Sequence, residues 1–304
     1  MSHRCTRREF LASSSLLLLA AAARGADALP EKPEPVIDIH QHTNYSFRTD
    51  EQLLAHQRAM GVTQTILLPA GSLYHLEANA TGDQACYDFA LNHALGEFFF
   101  ASNEVAGLPG AKAELEKWLK KGAVGIGEQK FQVDCDSPGI FEVAEVAQEF
   151  HVPVLLHFQH DKYNKHIERF HRTLEKFPKV NFIGHAQTWW ANIDAKCDPK
   201  IMYPMGKITP GGLTDRLLTD YPNMYGDLSA SSGLNALNRD KDFSRDFLAR
   251  HQNKLLYGSD CNDVIGRGPG CQGARTIATV RELSPGKTIE RKLLYENAKK
   301  LFRL

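Results

Sequence analysis

From Val36 to the last residues, short apolar and β-branched runs alternate with amphipathic helical patterns, and this alternation narrows the fold more than any other feature. The strand-like runs are Val36–His42, Val62–Pro69, Phe98–Val105, Ala123–Lys130, Val152–Phe158, Val180–His185, Asn223–Leu228 and Lys254–Asp260. Between them lie helical stretches such as Glu51–Met60, Ala111–Lys121, Ile140–Phe150, Lys165–Phe177 and Phe243–Arg250. Helix-stop signals at Gly61, Gly122 and Phe177-Pro178 precede several strands. Eight βα units in series close on themselves as a right-handed parallel barrel, so the expected fold is a single-domain (β/α)8 TIM barrel over residues 36–304. A doubly wound open sheet is the alternative arrangement. It would place a glycine-rich phosphate loop after the first strand, and this sequence has none there.

In such a barrel the chemistry sits at the carboxyl ends of the strands. Strand one ends Asp38-Ile39-His40-Gln41-His42, where alternation sends His40 and His42 to the same side. Strand four ends Gly127-Glu128-Gln129-Lys130, strand five ends at His157, strand six at His185, and strand eight at Gly258-Ser259-Asp260. Each residue alone has an ordinary reading. A single strand-end His is more often a satisfied polar residue, Glu128 pairs naturally with Lys130, and Asp260 is a natural cap. Together, four imidazoles and two carboxylates at one barrel mouth are costly to bury unless they hold a cation. The ligand types suit Zn, with Mn, Fe or Ni also compatible, as one or two divalent ions.

The first 28 residues are read as a removable export signal. Thr6-Arg7-Arg8-Glu9-Phe10-Leu11 has the twin-arginine pattern, an apolar run extends from Leu11 to Ala23, and Ala26-Asp27-Ala28 offers small residues to a signal peptidase. The apolar run falls short of the roughly 20 residues a membrane span needs, so a stable anchor is not expected. A linker over residues 29–35 follows. The expected location is therefore periplasmic or secreted, with the twin-arginine export machinery as a partner. Lys plus Arg and Asp plus Glu are balanced at 36 each, and no basic stripe is present, so no nucleic-acid partner is expected. Of the six Cys, Cys5 falls in the signal, leaving Cys86, Cys135, Cys197, Cys261 and Cys271. Cys261 and Cys271 flank a glycine-rich loop, as a disulfide or as two free thiols.

The pattern resembles the amidohydrolase superfamily, and most closely its amidohydrolase-related branch. The resemblance rests on Ile37-Asp38-Ile39-His40-Gln41-His42, the strand-five His157, Asn181-Phe182-Ile183-Gly184-His185, Leu255-Leu256-Tyr257-Gly258-Ser259-Asp260 and the closing Leu294-Tyr295-Glu296-Asn297-Ala298-Lys299-Lys300-Leu301-Phe302. It implies that His40, His42 and Asp260 hold one metal, and that His157 and His185 hold a second with Glu128 bridging. Glu128 is similar to the strand-four Glu of TatD-like hydrolases, whereas much of the branch lacks a metal-binding acid there and holds one ion. The mononuclear and binuclear arrangements both stay open.

The ligand set implies a metal-activated water attacking a lactone, ester or amide carbonyl of a small molecule, with Asp260 and His185 as the catalytic acid–base residues. A metal-dependent non-oxidative decarboxylase is the second reading, and a non-catalytic periplasmic metal- or solute-binding protein the third. Lys130 is a candidate for binding a substrate carboxylate, or a partner of Glu128 or Asp134. Trp189 and Trp190 are expected to wall the active-face loop that runs on through Tyr203 and Met205, or to pack over the rim. Arg267 is expected on a flap formed by Gly266–Gly273. His56, His75, His93, His151, His166, His171 and His251 are read as solvent-facing.

Overall fold

The computed structural model describes residues 34–71, 79–93 and 95–304; the signal-like segment, residues 29–33 of the linker and His75 lie outside these. Pro35–Leu304 form one compact unit. Its strands are β1 (Ile37–Gln41), β2 (Gln64–Leu67), β3 (Phe98–Phe100), β4 (Ile126–Gln129), β5 (Val154–His157), β6 (Phe182–His185), β7 (Met224–Asp227) and β8 (Leu255–Leu256). β1-β2-β3 and β4-β5-β6-β7-β8 are parallel ladders. Two seams join them into a closed barrel. At one, Val124 N donates to Phe100 O (2.9 Å) and Gly127 N to Ser102 O (2.9 Å). At the other, Ile39 N donates to Tyr257 O (3.2 Å) and Asp260 N to His40 O (2.9 Å). All eight expected strands are present, and the α/β barrel architecture follows from the closure.

Local chemistry explains the helices between them. Thr49 and Gln52 form a reciprocal capping box that starts the helix Asp50–Ala59. Ser137 caps Pro138–Phe150, with Pro138 in the first turn, where its missing N–H costs nothing. Gly61 and Gly122 follow helix ends at φ of 78° and 102°, a left-handed turn that side chains resist. One expected helix is broken. Lys165 pairs in extended form with the loop after β4, donating to Val133 O and accepting from Cys135 N, so only Ile167–Arg169 and His171–Lys176 coil.

Alternating strand residues divide the core. Val154, Leu156, Phe182 and Leu255 face the surrounding helices, in a cluster that includes Trp118, Phe170 and Phe247. Ile37, Ile39, Ile66, Leu68, Leu155, Ile183 and Leu256 fill the barrel interior, closed at its amino end by Ala298, Leu301 and Phe302 of the last helix. Two residues further along β5 and β6 the same inward positions are His157 and His185. The register of β1 on β2 shifts between Asp38 and Gln41, a bulge of the kind that re-aims a side chain next to a site. No helix among the described residues is long and apolar enough to cross a membrane.

Two histidines expected to face solvent are instead buried. His56 lies on the inner face of its helix, one turn on from Leu53, and His251 packs on Phe247 with Nε2 against Asp215 Oδ1.

Candidate metal centre

Three imidazoles converge with their Nε2 lone pairs facing inward, because each Nδ1 has a partner behind it. His40 Nδ1 donates to Asp227 Oδ2 at 2.7 Å, His42 Nδ1 donates to Leu68 O at 2.7 Å, and His185 Nδ1 reaches Ser229 Oγ at 2.9 Å. A backbone carbonyl can only accept, so the proton of His42 sits on Nδ1 and leaves Nε2 bare. Asp227 and Ser229 set the same tautomer on the other two; Ser229 Oγ itself donates to Asp227 Oδ2 at 2.6 Å. The result places His40 Nε2 and His42 Nε2 only 3.2 Å apart, two lone pairs directed at one point.

Two carboxylates complete the cluster. Asp260 Oδ1 lies 3.8 Å from His40 Nε2 and 3.6 Å from His42 Nε2, while its Oδ2 lies 3.6 Å from His185 Nε2. Glu128 divides its oxygens. Oε2 faces His40 and His42 at 3.7 and 3.5 Å, and Oε1 faces His185 at 3.6 Å and accepts a hydrogen bond from His157 Nδ1. A carboxylate with one oxygen toward each half of a site has the disposition of a bridging ligand. His40, His42 and Asp260 form one set of potential ligand atoms, and His40, Glu128 and His185 another.

The electrostatics call for a cation at this point. Burial alone would push the carboxyl of Asp260 up, but His40, His42 and His185 hold it down to about 2. Glu128 is likewise buried, yet the attraction and hydrogen bond of the His157 ring, with His40 and the charge of Lys130, keep it well below the ordinary carboxylate range. Burial outweighs Glu128 at His157 and lowers that imidazole to about 4, so the pair is an ionised carboxylate and a neutral imidazole. Burial should also lower His40, but Asp260, Asp227 and Glu128 raise it well above its usual value, so the carboxylates around its Nε2 favour a cation there, a proton or a metal in its place. Convergent lone pairs, oriented from behind and ringed by ionised carboxylates, fit a divalent metal.

The structure thus brings together His40, His42, Glu128, His157, His185 and Asp260. Lys130 is half-buried, with its Nζ 5.6 Å from the Tyr163 ring and its charge acting on Glu128; the other candidate partner, Asp134, is bound by Lys165 and Arg169. The tryptophans stand elsewhere. Both lie in a single-turn helix, Ala186–Ala191, folded back between the barrel and its helical layer. Gly184 makes this possible, since a Cβ there would fall 2.5 Å from the Trp189 ring. With exposures of 0% and 2% the indoles cannot touch a substrate. The later part of the same loop reaches the mouth instead: Met202 Sδ accepts from Gln159 Nε2 (3.7 Å), whose Oε1 lies 3.4 Å from His157 Nε2. Arg267 is exposed on a segment folded against the helix Asp50–Ala59, with Gly266 packed on His56 and Ala59, and is not gathered into the centre.

Four residues of the site, the Ser229 described above among them, were not anticipated from the sequence. Asp227 ends β7 and orients two imidazoles. Asp38 accepts from Ser259 N (2.8 Å), Ser259 Oγ (2.5 Å) and Gln57 Nε2 (2.9 Å), pinning the segment that carries Asp260 to β1. Tyr45 stacks edge-on to His42 at 5.1 Å, and Asp260, burial and Glu128 hold its phenol protonated far above the usual range, as a donor. Their only sequence signal is proximity to the strand ends.

Solved structures with this fold include a candidate 2-pyrone-4,6-dicarboxylic acid hydrolase from Pseudomonas putida, 15% identical, with TM-score 0.61 over 88% of this chain and 97% of that one. A TatD homologue from Escherichia coli K12 is 17% identical, with TM-score 0.57 over 88% and 98%. A 2,6-dihydroxybenzoate decarboxylase from Rhizobium is 13% identical, with TM-score 0.57 over 89% and 99%. No curated protein matches the chain by sequence. The amidohydrolase family model matches residues 37–304, essentially the whole barrel, and the chain belongs to that family.

Proposed function

We propose that this protein is a metal-dependent hydrolase of small molecules carrying a lactone, ester or amide carbonyl. The observation that carries the reading is the convergence of His40 Nε2 and His42 Nε2 at 3.2 Å beside Asp260, the most open acid of the centre. Its side chain is 14% exposed, against no more than 5% for His40, His42, Glu128, His157 and His185. Bound there, a divalent ion supplies Lewis acidity and a water of lowered pKa. Zn suits the His and carboxylate donors, in one or two copies.

The chain's own groups account for the rest. Asp260, ionised and open to the mouth, takes the proton of the attacking water and delivers it to the leaving group. His185, fixed by Ser229, stands 3.6 Å from Asp260 Oδ2 and steadies the carboxylate. The Tyr45 phenol donates toward developing negative charge on the carbonyl oxygen. Lys130 attracts a substrate carboxylate, and Met202 and Tyr203 offer an apolar lip. The twin-arginine-like segment Thr6–Leu11 supports export to the periplasm or beyond, with the metal loaded before translocation.

A non-oxidative decarboxylase is the competing reading, favoured if His185 is left free of a second ion. Metal content of the strand-end centre decides, counted per chain as ions without sulfur neighbours, wild type beside Glu128→Gln. About two ions falling to about one supports the binuclear hydrolase. About one ion in both moves the weight to the decarboxylase, and no bound ion in either removes the reading altogether.

A further inference from the structure

Behind Asp260, on the outer side of the barrel wall, a second group of donors has no part in the chemistry above. Cys261 follows Asp260 directly, and Cys271 caps the helix Gln272–Leu283 through a contact with Ala274 N at 3.3 Å. His56 comes from the helix Asp50–Ala59, and Met60 immediately follows it. His56, Cys261 and Cys271 are at most 1% exposed, and Met60 is 9% exposed. The two thiols lie 3.8 Å apart, far beyond the roughly 2.05 Å of a disulfide. His56 Nε2 is 3.5 Å from Cys271 Sγ, and Met60 Sδ is 3.6 Å from the same sulfur.

These separations are those of ligands around one ion. With metal–sulfur bonds of about 2.3 Å and metal–nitrogen bonds of about 2.05 Å, tetrahedral geometry sets sulfur–sulfur edges near ~3.8 Å and sulfur–nitrogen edges near ~3.5 Å. The imidazole supplies a second observation. His56 is fully buried, and the ring's polar contact runs from Nε2 to sulfur, with a ring nitrogen, Cys261 Sγ and Cys271 Sγ all within 4.8 Å of one another. A buried imidazole nitrogen directed at two thiols, none of them open to water, is placed as a ligand of the kind soft d10 ions take.

We propose that His56 Nε2, Cys261 Sγ and Cys271 Sγ, with Met60 Sδ as the fourth donor, form a structural site for one thiophilic d10 ion, Zn(II) or Cu(I). Two thiols and a thioether are soft donors, whereas the centre at the strand ends offers only imidazole and carboxylate. On binding, both thiols give their protons to solvent and two metal–thiolate bonds form. All four donors come from the protein and none is open, so no position is left for water, as in saturated structural sites. The ion enters before the segment between the cysteines closes. Its effect is to fasten that segment to the helix behind it. Arg48 already binds Cys261 O (2.8 Å) and Asp263 O (3.0 Å), and Gly266 packs so closely on His56 that a Cβ would fall 2.3 Å from the carbonyl oxygen. Asp260 emerges from this anchored segment.

The test is X-ray absorption on the full chain, reconstituted under reducing conditions with excess Zn(II) alone or Cu(I) alone. A sulfur shell near ~2.3 Å with either ion supports the site, because the strand-end centre has no sulfur donor. Cys271→Ser should lose that shell and about one ion per chain. Asp260→Asn, which alters only the other centre, should keep the shell. Nitrogen and oxygen neighbours alone, with both ions in excess, overturn the proposal. So does a chain mass lower by two hydrogens in protein purified without reductant, which would mark a disulfide. Should Cys271→Ser fail to fold, the wild-type spectrum decides by itself. Loss of hydrolase activity bears on the other centre and leaves this result intact.

Discussion

The inner face of the barrel carries two layers built on the same strands. On β5, Leu155 and His157 point the same way; on β6, Ile183 and His185 do. The lower layer joins Ile37, Ile39, Ile66 and Leu68 over the plug of Leu301 and Phe302, and dispersion and water exclusion hold it together. One step up, the groups of the centre are titratable, buried and dependent on a partner: His40 on Asp227, His42 on Leu68 O, His157 on Glu128. The lower layer would fold a barrel with no chemistry. The upper layer concentrates ionised carboxylates and desolvated imidazoles that do not favour folding without a cation between them. Stability and function are thus stacked along the strands, and substitutions should separate them.

The largest effect belongs to the upper layer. Asp260→Asn keeps the shape and removes the proposed proton acceptor, so kcat/KM should fall by about 10²–10⁴-fold. Its melting temperature should stay level or fall by a few degrees, because a carboxylate held down to about 2 favours the folded state when ionised. Retained turnover would take Asp260 out of the mechanism.

Next comes the lower layer. Ile183→Ala deletes a fully buried side chain beneath His185 and should cost about 2–5 kcal/mol in denaturant unfolding. Metal content per folded chain should not change. If Ile183→Ala instead emptied the centre, the two layers would not be separable, and the comparison would break.

How much of this was legible in the sequence follows from the same division. The barrel was readable because its signal is periodic and local: every strand carries its own apolar run, and the ordered strand ends carried His40, His42, Glu128, His157, His185 and Asp260. What stayed hidden depends on contacts between distant segments. Asp227 meets His40 across 187 residues, and Asp38 meets Ser259 across 221, so each looks in sequence like an ordinary strand acid. The sequence puts the tryptophans on the active face, as the wall of a loop or over the rim, because they follow His185 in a long connection. Only the room left by Gly184 shows that the chain turns back under the strand. His56 could have been read better, since it falls three residues after Leu53 on the buried face of its helix.

The smallest effect, and the most diagnostic for the hidden part, concerns Asp227. Its carboxylate is buried and held far below the usual range; burial alone would raise it, but hydrogen bonds from His185 and His40 prevail. In Asp227→Asn the amide keeps the shape but no longer accepts on both sides. If its oxygen faces His40, its NH2 faces Ser229 and undoes the arrangement that orients His185. If its NH2 faces His40, the imidazole must accept at Nδ1 and carry its proton on Nε2, where the lone pair for the metal was. Either way one inward nitrogen is lost or misaimed. Metal affinity, measured by competition with a chelator, should fall about 10–100-fold. Unlike Ile183→Ala, the variant should lose affinity without a matching loss of folded protein. Unchanged affinity would mean that the imidazoles are aimed by the strands alone, and that the upper layer needs no support from β7.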